Sequence, residues 1–518
     1  MTQENLTKTK KAPQRDGADR YLRTDELKSD LGMRTARGGV VTLTSQGFKF
    51  VIGMAATMVL ARLLTPQDYG LVGMVVIITG FVSLFKDLGL SSATIQKEDL
   101  SLAQISTLFW INIGLSVGIM LLTAALAPLV AWFYGEPRLT RITIAYAAGF
   151  LFGGLVVQHE ALLRRQMRFT ALAIVETIAL TVGIAVAVIL AWRGAGYWAL
   201  VVNQLASGLV YAAGIWIACG WRPGVPVRDS GVRQMLVFGG NLTGFTIINY
   251  FARNLDNMLI GRFWGSMPLG LYAKAYQLLL LPIDQITPPI TSVAVPALSR
   301  LAGAPERYRQ AYLRILEKLA LFTMPFMALM IATSDWVVQV VLGPNWAGVS
   351  RLFALLGIAG LFQPIASTTG WLFVSQGRTH HMFQWGLIGG TITILAIIAG
   401  LPWGATGVAL SYSIVWVCVI MPVLFWFVGR SGPVRTLDFY RTMAPAACAA
   451  VCVLGALLLF RRWAGVNSPL AGLIIAGGIA SVITLLVMLV LPSGRKALAD
   501  LRHLTASLMK RRQIGIVT

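Results

Sequence analysis

Charge is scarce in this chain. Only 12% of its 518 residues are charged, whereas 56% are hydrophobic, and the mean hydropathy is +0.71. A water-soluble domain carries far more charge than this, so the composition excludes one. The apolar residues occur in runs of about 20, the length that an α-helix needs to cross a bilayer. The sequence therefore predicts an all-α polytopic membrane protein.

Cysteine, histidine and nucleotide-binding motifs are also scarce. The four cysteines lie within or at the ends of apolar runs without metal-type spacing, so neither disulfides nor zinc is expected. The His380–His381 pair has no carboxylate or cysteine framework nearby and is expected to be solvated. No Walker-type loop and no hydrolase triad is present, which argues against direct use of ATP. We therefore expect no catalytic residue, no cofactor and no metal.

The apolar runs predict about 14 transmembrane helices, separated by short loops. A polar tail at 1–37 precedes them and lacks the apolar core of a signal peptide. A basic tail follows at 492–518. The predicted spans are 38–62, 70–95, 104–132, 142–162, 170–192, 197–219, 233–261, 269–297, 316–341, 351–375, 382–400, 405–428, 442–460 and 470–491.

The basic residues sit mainly at the ends of alternate spans. With the N-terminus inside, the inner segments hold 30 of the 43 Lys and Arg, the outer loops hold 8, and five lie within spans. Cytoplasmic loops are enriched in Lys and Arg, so this count predicts that both termini are cytoplasmic. It also explains the net charge of +22 without nucleic acid as a partner.

A short internal repeat divides the spans into two halves. Residues 60–71 (LARLLTPQDYGL) and 260–271 (IGRFWGSMPLGL) align at an offset of 200, with Arg62 matching Arg262 and Gly70 matching Gly270. Each copy ends one span and opens the next on the predicted outer face. Six spans separate the copies, so the repeat is parallel, a common device in transporters. We predict two six-helix lobes around a central cavity, at 38–219 and 233–428, plus an extra C-terminal helix pair at 442–491.

Four stretches carry a family resemblance: ARLLTPQDYGLVGM (61–74), FKDLGLSSATIQ (85–96), RNLDNMLIGRFWG (253–265) and LGLYAKAYQLLLLPI (269–283). They resemble the polysaccharide transporter branch of the multidrug/oligosaccharidyl-lipid/polysaccharide exporter superfamily, and are most similar to Wzx-type flippases of the colanic-acid-exporter group. The likeness covers about 38–430.

This resemblance implies a V-shaped pair of lobes that work by alternating access in the bacterial inner membrane. The implied cargo is an undecaprenyl-diphosphate-linked oligosaccharide, moved from the inner to the outer leaflet for exopolysaccharide or lipopolysaccharide synthesis. Membrane lipids, a polysaccharide polymerase and chain-length proteins are the implied partners. Two alternatives stay open: a cation- or drug-coupled antiporter of the same superfamily, and a membrane enzyme of polysaccharide assembly. Outer loops of roughly 4 to 10 residues disfavour the enzyme.

Cations at membrane depth are the candidate contacts for a diphosphate. Charge there is costly and is usually functional. Lys49 and Arg253 are the first candidates, and Lys274 is the second, because Arg forms forked hydrogen bonds with phosphate and Lys supplies a point charge. The alternative is structural pairing with acidic residues. The acidic candidates for pairing, or for coupling to H⁺ or Na⁺, are Asp87, Glu176, Asp256 and Asp284.

Aromatic and proline residues complete the charged stretch at 250–289. Tyr250, Tyr272 and Tyr276 accompany the charges and are candidates for stacking on sugar. Pro282, Pro288 and Pro289 each remove a backbone donor, so they predict a bent eighth span that acts as a hinge; a static kink is the alternative.

Overall fold

The computed structural model describes residues 31–85, 94, 101–227, 250, 253–466, 468–491 and 494–495. Throughout these ranges the regular structure is helical, without a strand, which confirms the all-α class. The helices are α1 (Leu31–Leu63), α2 (Pro66–Ser83), α3 (Leu102–Tyr134), α4 (Arg138–Arg165), α5 (Phe169–Trp192), α6 (Trp198–Cys219), α7 (253–264), α8 (Ser266–Ser299), α9 (Pro305–Ala332), α10 (Ser334–Val341), α11 (Ala347–Gly360), α12 (Gln363–Ser367), α13 (Thr369–Ser375), α14 (Thr379–Gly400), α15 (Gly404–Val415), α16 (Met421–Gly429), α17 (Thr436–Trp463) and α18 (Pro469–Val490).

Within the described ranges, ten helical segments are long and apolar enough to cross a membrane. The count becomes 11 if a bent pair, Pro344–Gly360 with Gln363–Ser375, forms one span. One of the ten, Thr379–Gly429, is 51 residues long and covers two predicted spans, 382–400 and 405–428. The polytopic class is therefore confirmed, but the predicted count of 14 is not.

The proline-rich span forms one uninterrupted helix. Helix α8 runs for 34 residues through Pro282, Pro288 and Pro289. Proline is tolerated inside membrane helices because neighbouring groups satisfy the freed backbone carbonyls. The hinge at these prolines stays a prediction.

The chain divides into two compact units. The first comprises residues 1–56 and 78–250, and the second comprises residues 57–77 and 251–518. The boundary therefore runs through α1 and α2, so that the turn between these helices belongs to the second unit. The predicted lobes at 38–219 and 233–428 stay predictions.

Small residues bring the helices of the first unit close together. A Cβ at Gly154 on α4 would lie 2.4 Å from Ser116 Oγ on α3, and one at Gly183 on α5 would lie 1.8 Å from Ser207 Oγ on α6. Membrane helices gain much of their stability from such close packing, because lipid tails are as apolar as the side chains that they contact. The glycines are therefore structural.

The second unit contains a core that includes the C-terminal helix pair. Residues of α8, α9, α16, α17 and α18 share one buried cluster, with Tyr312 of α9 packed edge-on to Phe439 of α17. Arg309 on α9 holds Asp438 on α17 through two hydrogen bonds of 2.8 and 2.6 Å. Such a forked pair fixes geometry as well as charge. Helices α17 and α18 are thus integral to this unit.

Candidate functional site

The two copies of the sequence repeat meet inside the second unit. A Cβ built on Gly70, near the start of α2, would lie 1.7 Å from the carbonyl oxygen of Ser266; one on Gly270, near the start of α8, would lie 1.9 Å from that of Pro66. Ser266 is the repeat counterpart of Pro66, so the two contacts are equivalent, as in a self-complementary twofold interface. Only glycine permits so close a backbone approach. The repeated glycines therefore close the predicted outer turns against each other.

Lys274 lies one helical turn beyond Gly270 and is buried, with 7% of its surface exposed. Its ammonium lies 4.1 Å from the centre of the Tyr69 ring and donates a hydrogen bond of 2.9 Å to Gln277 Oε1. A cation over an aromatic face is stabilised by the negative charge of that face. Lys274 is therefore held by a ring that comes from the 57–77 segment.

The same segment is anchored further by contacts with the α10–α11 region. Trp346 donates from Nε1 to the carbonyl oxygen of Ala61 at 2.7 Å and packs edge-on to Tyr69, with ring centres 5.3 Å apart. Arg62 donates to the carbonyl oxygens of Val340 and Val341 at 2.7 and 3.2 Å, at the C-terminal end of α10. A cation there also complements the helix dipole. Arg62 thus has a structural contact, which the repeat alone did not predict.

Asp256 forms the centre of a polar network between α7 and α8. Its carboxylate accepts hydrogen bonds from the Asn257 backbone and side chain, at 2.7 and 3.2 Å, and from the Tyr272 hydroxyl at 2.9 Å. Tyr272 is fully buried and stacks on Tyr276, with ring centres 6.3 Å apart. The buried charge is therefore compensated by donors and not by a cation among the described residues.

Tyr276 extends this network to two more helices. Its hydroxyl lies near enough to Tyr412 on α15 and Gln363 on α12 for an electrostatic interaction, and Gln363 donates a hydrogen bond of 2.9 Å to the Tyr412 hydroxyl. Neither Gln363 nor Tyr412 was predicted, because an isolated polar residue in an apolar run does not indicate its partner. Four helices, α7, α8, α12 and α15, thus contribute to one polar centre.

Arg253 opens α7 and is exposed. It lies near enough to Tyr276 for an electrostatic interaction. The alternative that Arg253 and Asp256 neutralise each other receives no support from the described residues, because no ion pair joins them there.

Lys49, the other first candidate, forms an ion pair in the first unit. Its Nζ lies 2.6 Å from Glu176 Oε2, linking α1 to α5, and both side chains are partly exposed. This is the structural pairing that the sequence left open. Lys49 can bind a phosphate only if its ammonium leaves the Glu176 carboxylate or contacts both groups at once.

The structure describes the remaining candidate residues only in part. Tyr250 lies in the first unit, where its hydroxyl is 2.4 Å from a Cβ built on Gly80 and its ring centre is 6.2 Å from that of Phe81. Pro288 and Pro289 lie on the exposed surface of α8. The structure does not describe the side chains of Pro282 and Asp284. Asp87 lies outside the described residues.

These features define a multi-pass helical membrane protein of the transporter type, with a closed glycine contact beside a polar centre. Residues 59–351 match the family model described as "Polysaccharide biosynthesis protein", and the chain belongs to this family. The resemblance inferred from residues 61–74 and 253–283 is thereby confirmed.

The chain is also similar to curated relatives in sequence and to a solved structure in fold. The chain is 26% identical to the lipopolysaccharide biosynthesis protein WzxC of Escherichia coli (strain K12), over 73% of this chain and 77% of the relative. It is 25% identical to the succinoglycan biosynthesis transport protein ExoT of Rhizobium meliloti (strain 1021), over 88% and 92%. The lipid II flippase MurJ, in an inward closed conformation, superposes with a TM-score of 0.69 at 14% identity, covering 86% of this chain and 97% of that one. At this identity the superposition shows the shared fold alone.

Proposed function

We propose that this protein is a flippase, which moves undecaprenyl-diphosphate-linked oligosaccharide units from the inner to the outer leaflet of the bacterial inner membrane by alternating access. The observation that carries the proposal is the family match over 59–351, which spans both repeat copies and the charged stretch. The names of the relatives support the same cargo class, because WzxC is named for lipopolysaccharide biosynthesis and ExoT for transport in succinoglycan biosynthesis.

The exposure and the existing partners of three cations determine the order in which we propose them as contacts to the diphosphate. Arg253 is exposed and opens α7 beside Tyr276, so it is the first phosphate contact. Lys274 is held over Tyr69, and Lys49 is held by Glu176, so both require a rearrangement before they bind an anion. A guanidinium also suits a diphosphate better than an ammonium does, because it donates two parallel hydrogen bonds.

The three candidate tyrosines differ in burial, and this separates their proposed roles. Tyr272 is fully buried against Asp256, so it positions the carboxylate and does not stack on sugar in this conformation. Tyr276 and Tyr250 keep some exposure and remain the candidates for sugar contact. Tyr276 is the better placed of the two, because Arg253 lies near it.

Asp256 is the proposed site for coupling to H⁺ or Na⁺. It is the buried carboxylate whose donors are neutral, whereas Glu176 is paired with Lys49. A carboxylate without a fixed cation can gain a proton or a sodium ion at lower cost than one in an ion pair. Asp87 and Asp284 remain predictions, as do contacts with a polymerase and with chain-length proteins.

We also propose that both termini face the cytoplasm. Three loops that the basic-residue count assigns to the inner face, 298–315, 376–381 and 429–441, contribute residues to one cavity in the second unit. Their convergence at one end supports the assignment of these loops to the same side of the membrane.

Translocation in proteoliposomes tests the proposal. The wild type should move a fluorescent undecaprenyl-diphosphate oligosaccharide across the bilayer, and Arg253→Gln should slow this by about tenfold through loss of a charge-assisted contact. Arg462→Gln, which removes an exposed arginine at the end of α17, is the matched control and should leave the rate unchanged.

Three outcomes separate the hypotheses. Wild-type protein that leaves the lipid in place but exchanges a cationic drug for H⁺ or Na⁺ would identify an antiporter. Chemical modification of the lipid would identify an enzyme. Transport by Arg253→Gln at the wild-type rate would keep the flippase but exclude Arg253 from the site.

A further inference from the structure

A separate cavity of about 490 Å³ lies at the predicted inner end of the second unit. Three loops line it: the turn between α8 and α9, the turn between α13 and α14, and the segment between α16 and α17. Its lining residues include Ala302, Pro305, Gln376, Arg378, Gly432 and Pro433. Its volume falls within the range of roughly 300 to 1,000 Å³ that is typical of small-molecule sites.

Arg378 supplies the cation of this cavity. Gly377 before it has φ +67°, a left-handed conformation that favours glycine, and this turn carries Arg378 to the start of α14. A Cβ on Gly432 would lie 3.4 Å from the Arg378 guanidinium, so the guanidinium lies directly over the bare backbone of that glycine. Among the described residues, Arg378 makes no ion pair or hydrogen bond from its guanidinium. Within the described part of the chain, its donors are therefore free to bind a ligand.

The surroundings of the cavity are cationic. Arg300, Arg430 and Arg435 are exposed and lie within two residues of lining positions in sequence. The nearby acids are already engaged: Glu306 accepts from Arg309 and Gln310, and Asp438 accepts from Arg309 and the Arg435 backbone. The field at the mouth is therefore positive and attracts anions.

The inner wall of the cavity is ordered by a buried hydrogen bond. Tyr308, which lines it, is fully buried, and its hydroxyl lies 2.6 Å from Ser375 Oγ. This bond ties α9 to the end of α13, two residues before the Gly377 turn. A site supported in this way keeps its polar groups in place before a ligand arrives, which lowers the cost of binding.

From this geometry we infer that the cavity around Arg378 is a binding site for a phosphate group on the cytoplasmic side. The planar guanidinium offers parallel donors to phosphate oxygens, and the neighbouring arginines add long-range attraction. The phosphate comes either from the headgroup of an anionic lipid in the inner leaflet or from a soluble phosphorylated compound. The site lies apart in sequence from Arg253 and Lys274, and it does not depend on the cargo proposed above.

A second cavity offers a natural comparison. It measures about 330 Å³ and is lined by Arg314 and Arg441, but Glu317 lines it as well. A carboxylate in the lining repels phosphate and offsets one arginine. The cavity of Arg378 has no acidic lining residue among those described, which is why we assign the anion to it.

Binding of two probes to the full chain tests this inference. Inorganic pyrophosphate is titrated onto the purified protein in neutral detergent, and phosphatidylglycerol is measured by its enrichment around the protein in mixed phosphatidylglycerol and phosphatidylcholine nanodiscs. Arg378→Gln should weaken binding of at least one probe by about tenfold, the loss expected for a charge-assisted hydrogen bond. Arg314→Gln, the matched control from the second cavity, should retain wild-type binding. Arg253→Gln is measured beside it to report any binding of the probes at the proposed transport site.

Each result has a definite meaning. Loss of pyrophosphate binding in Arg378→Gln identifies a soluble phosphate ligand, and loss of phosphatidylglycerol enrichment alone identifies a lipid headgroup. Absence of saturable binding of either probe to the wild type overturns the inference. Equal weakening in Arg314→Gln, or loss only in Arg253→Gln, also overturns it, since binding would then be non-specific or would belong to the transport site.

Discussion

Replacing Gly70 with alanine should force the two repeat copies apart. The added Cβ would lie 1.7 Å from the Ser266 carbonyl oxygen, whereas ordinary contact begins at 3.4 Å. The backbones must therefore separate by nearly 2 Å, because a carbonyl oxygen cannot rotate away as a side chain can. Overpacking of this kind costs about 1–3 kcal/mol. This cost applies only to the closed contact, so it shifts the ratio of closed to open molecules by about 5- to 150-fold.

Gly73→Ala is the matched control for this substitution. Gly73 lies one turn further along α2, and a Cβ there would meet Leu269 at 3.8 Å, an ordinary contact. Both substitutions favour the helix equally, by about 1 kcal/mol, so helix propensity cannot separate them. Any difference between the two variants therefore reports the glycine contact.

Spin labels can report the separation directly. Leu63 and Phe263 are repeat counterparts and are both exposed, so labels at these positions in a cysteine-free background should not disturb packing. The wild type and Gly73→Ala should give the same short distance, and Gly70→Ala should shift the distribution to longer distances. A folded Gly70→Ala protein with an unchanged distribution would refute the reasoning.

Two pairings elsewhere make further predictions. Lys49→Met should lower stability by about 1 kcal/mol, a modest loss because the pair is partly exposed; adding Glu176→Gln should recover most of it, and thermal unfolding of the single and double variants measures the coupling. Tyr272→Phe should cost about 1–2 kcal/mol by removing a donor from the buried Asp256. An unchanged unfolding midpoint would show that Asp256 finds another donor.

The class of the fold could be predicted from the sequence, whereas the count of 14 spans stays a prediction. Long apolar runs identify membrane helices because the bilayer sets their length. The bend of 43° between Pro344–Gly360 and Gln363–Ser375 falls inside the predicted span 351–375, where the hydropathy gives no sign of it. The offset repeat matched Gly70 with Gly270 but did not predict that the two copies meet. The close backbone approach at these positions explains why glycine occurs in both copies.

Charged residues were easier to find than to assign. Lys49 and Asp256 could be identified as candidates because charged residues are rare at membrane depth. A count of positive and negative charges, however, does not show which residues form pairs. Lys49 pairs with Glu176 across 127 residues of sequence, and Asp256 is satisfied by neutral donors. Partners of this kind depend on tertiary packing, which periodicity along one helix does not encode.

The closed glycine contact and the state of Lys274 should be coupled. Tyr69, which covers the Lys274 ammonium at 4.1 Å, is the residue before Gly70, and Lys274 follows Gly270 by one turn. Separation at the glycines therefore moves the ring away from the ammonium and exposes a cation beside the polar centre. We expect Gly70→Ala to increase labelling of Lys274 by an amine-reactive ester severalfold, as read by peptide mass spectrometry, and Gly73→Ala to leave it low. Equal labelling in both variants would mean that Tyr69 and Lys274 move together. Separation of the Gly70 and Gly270 turns would then not expose the Lys274 ammonium to the cargo.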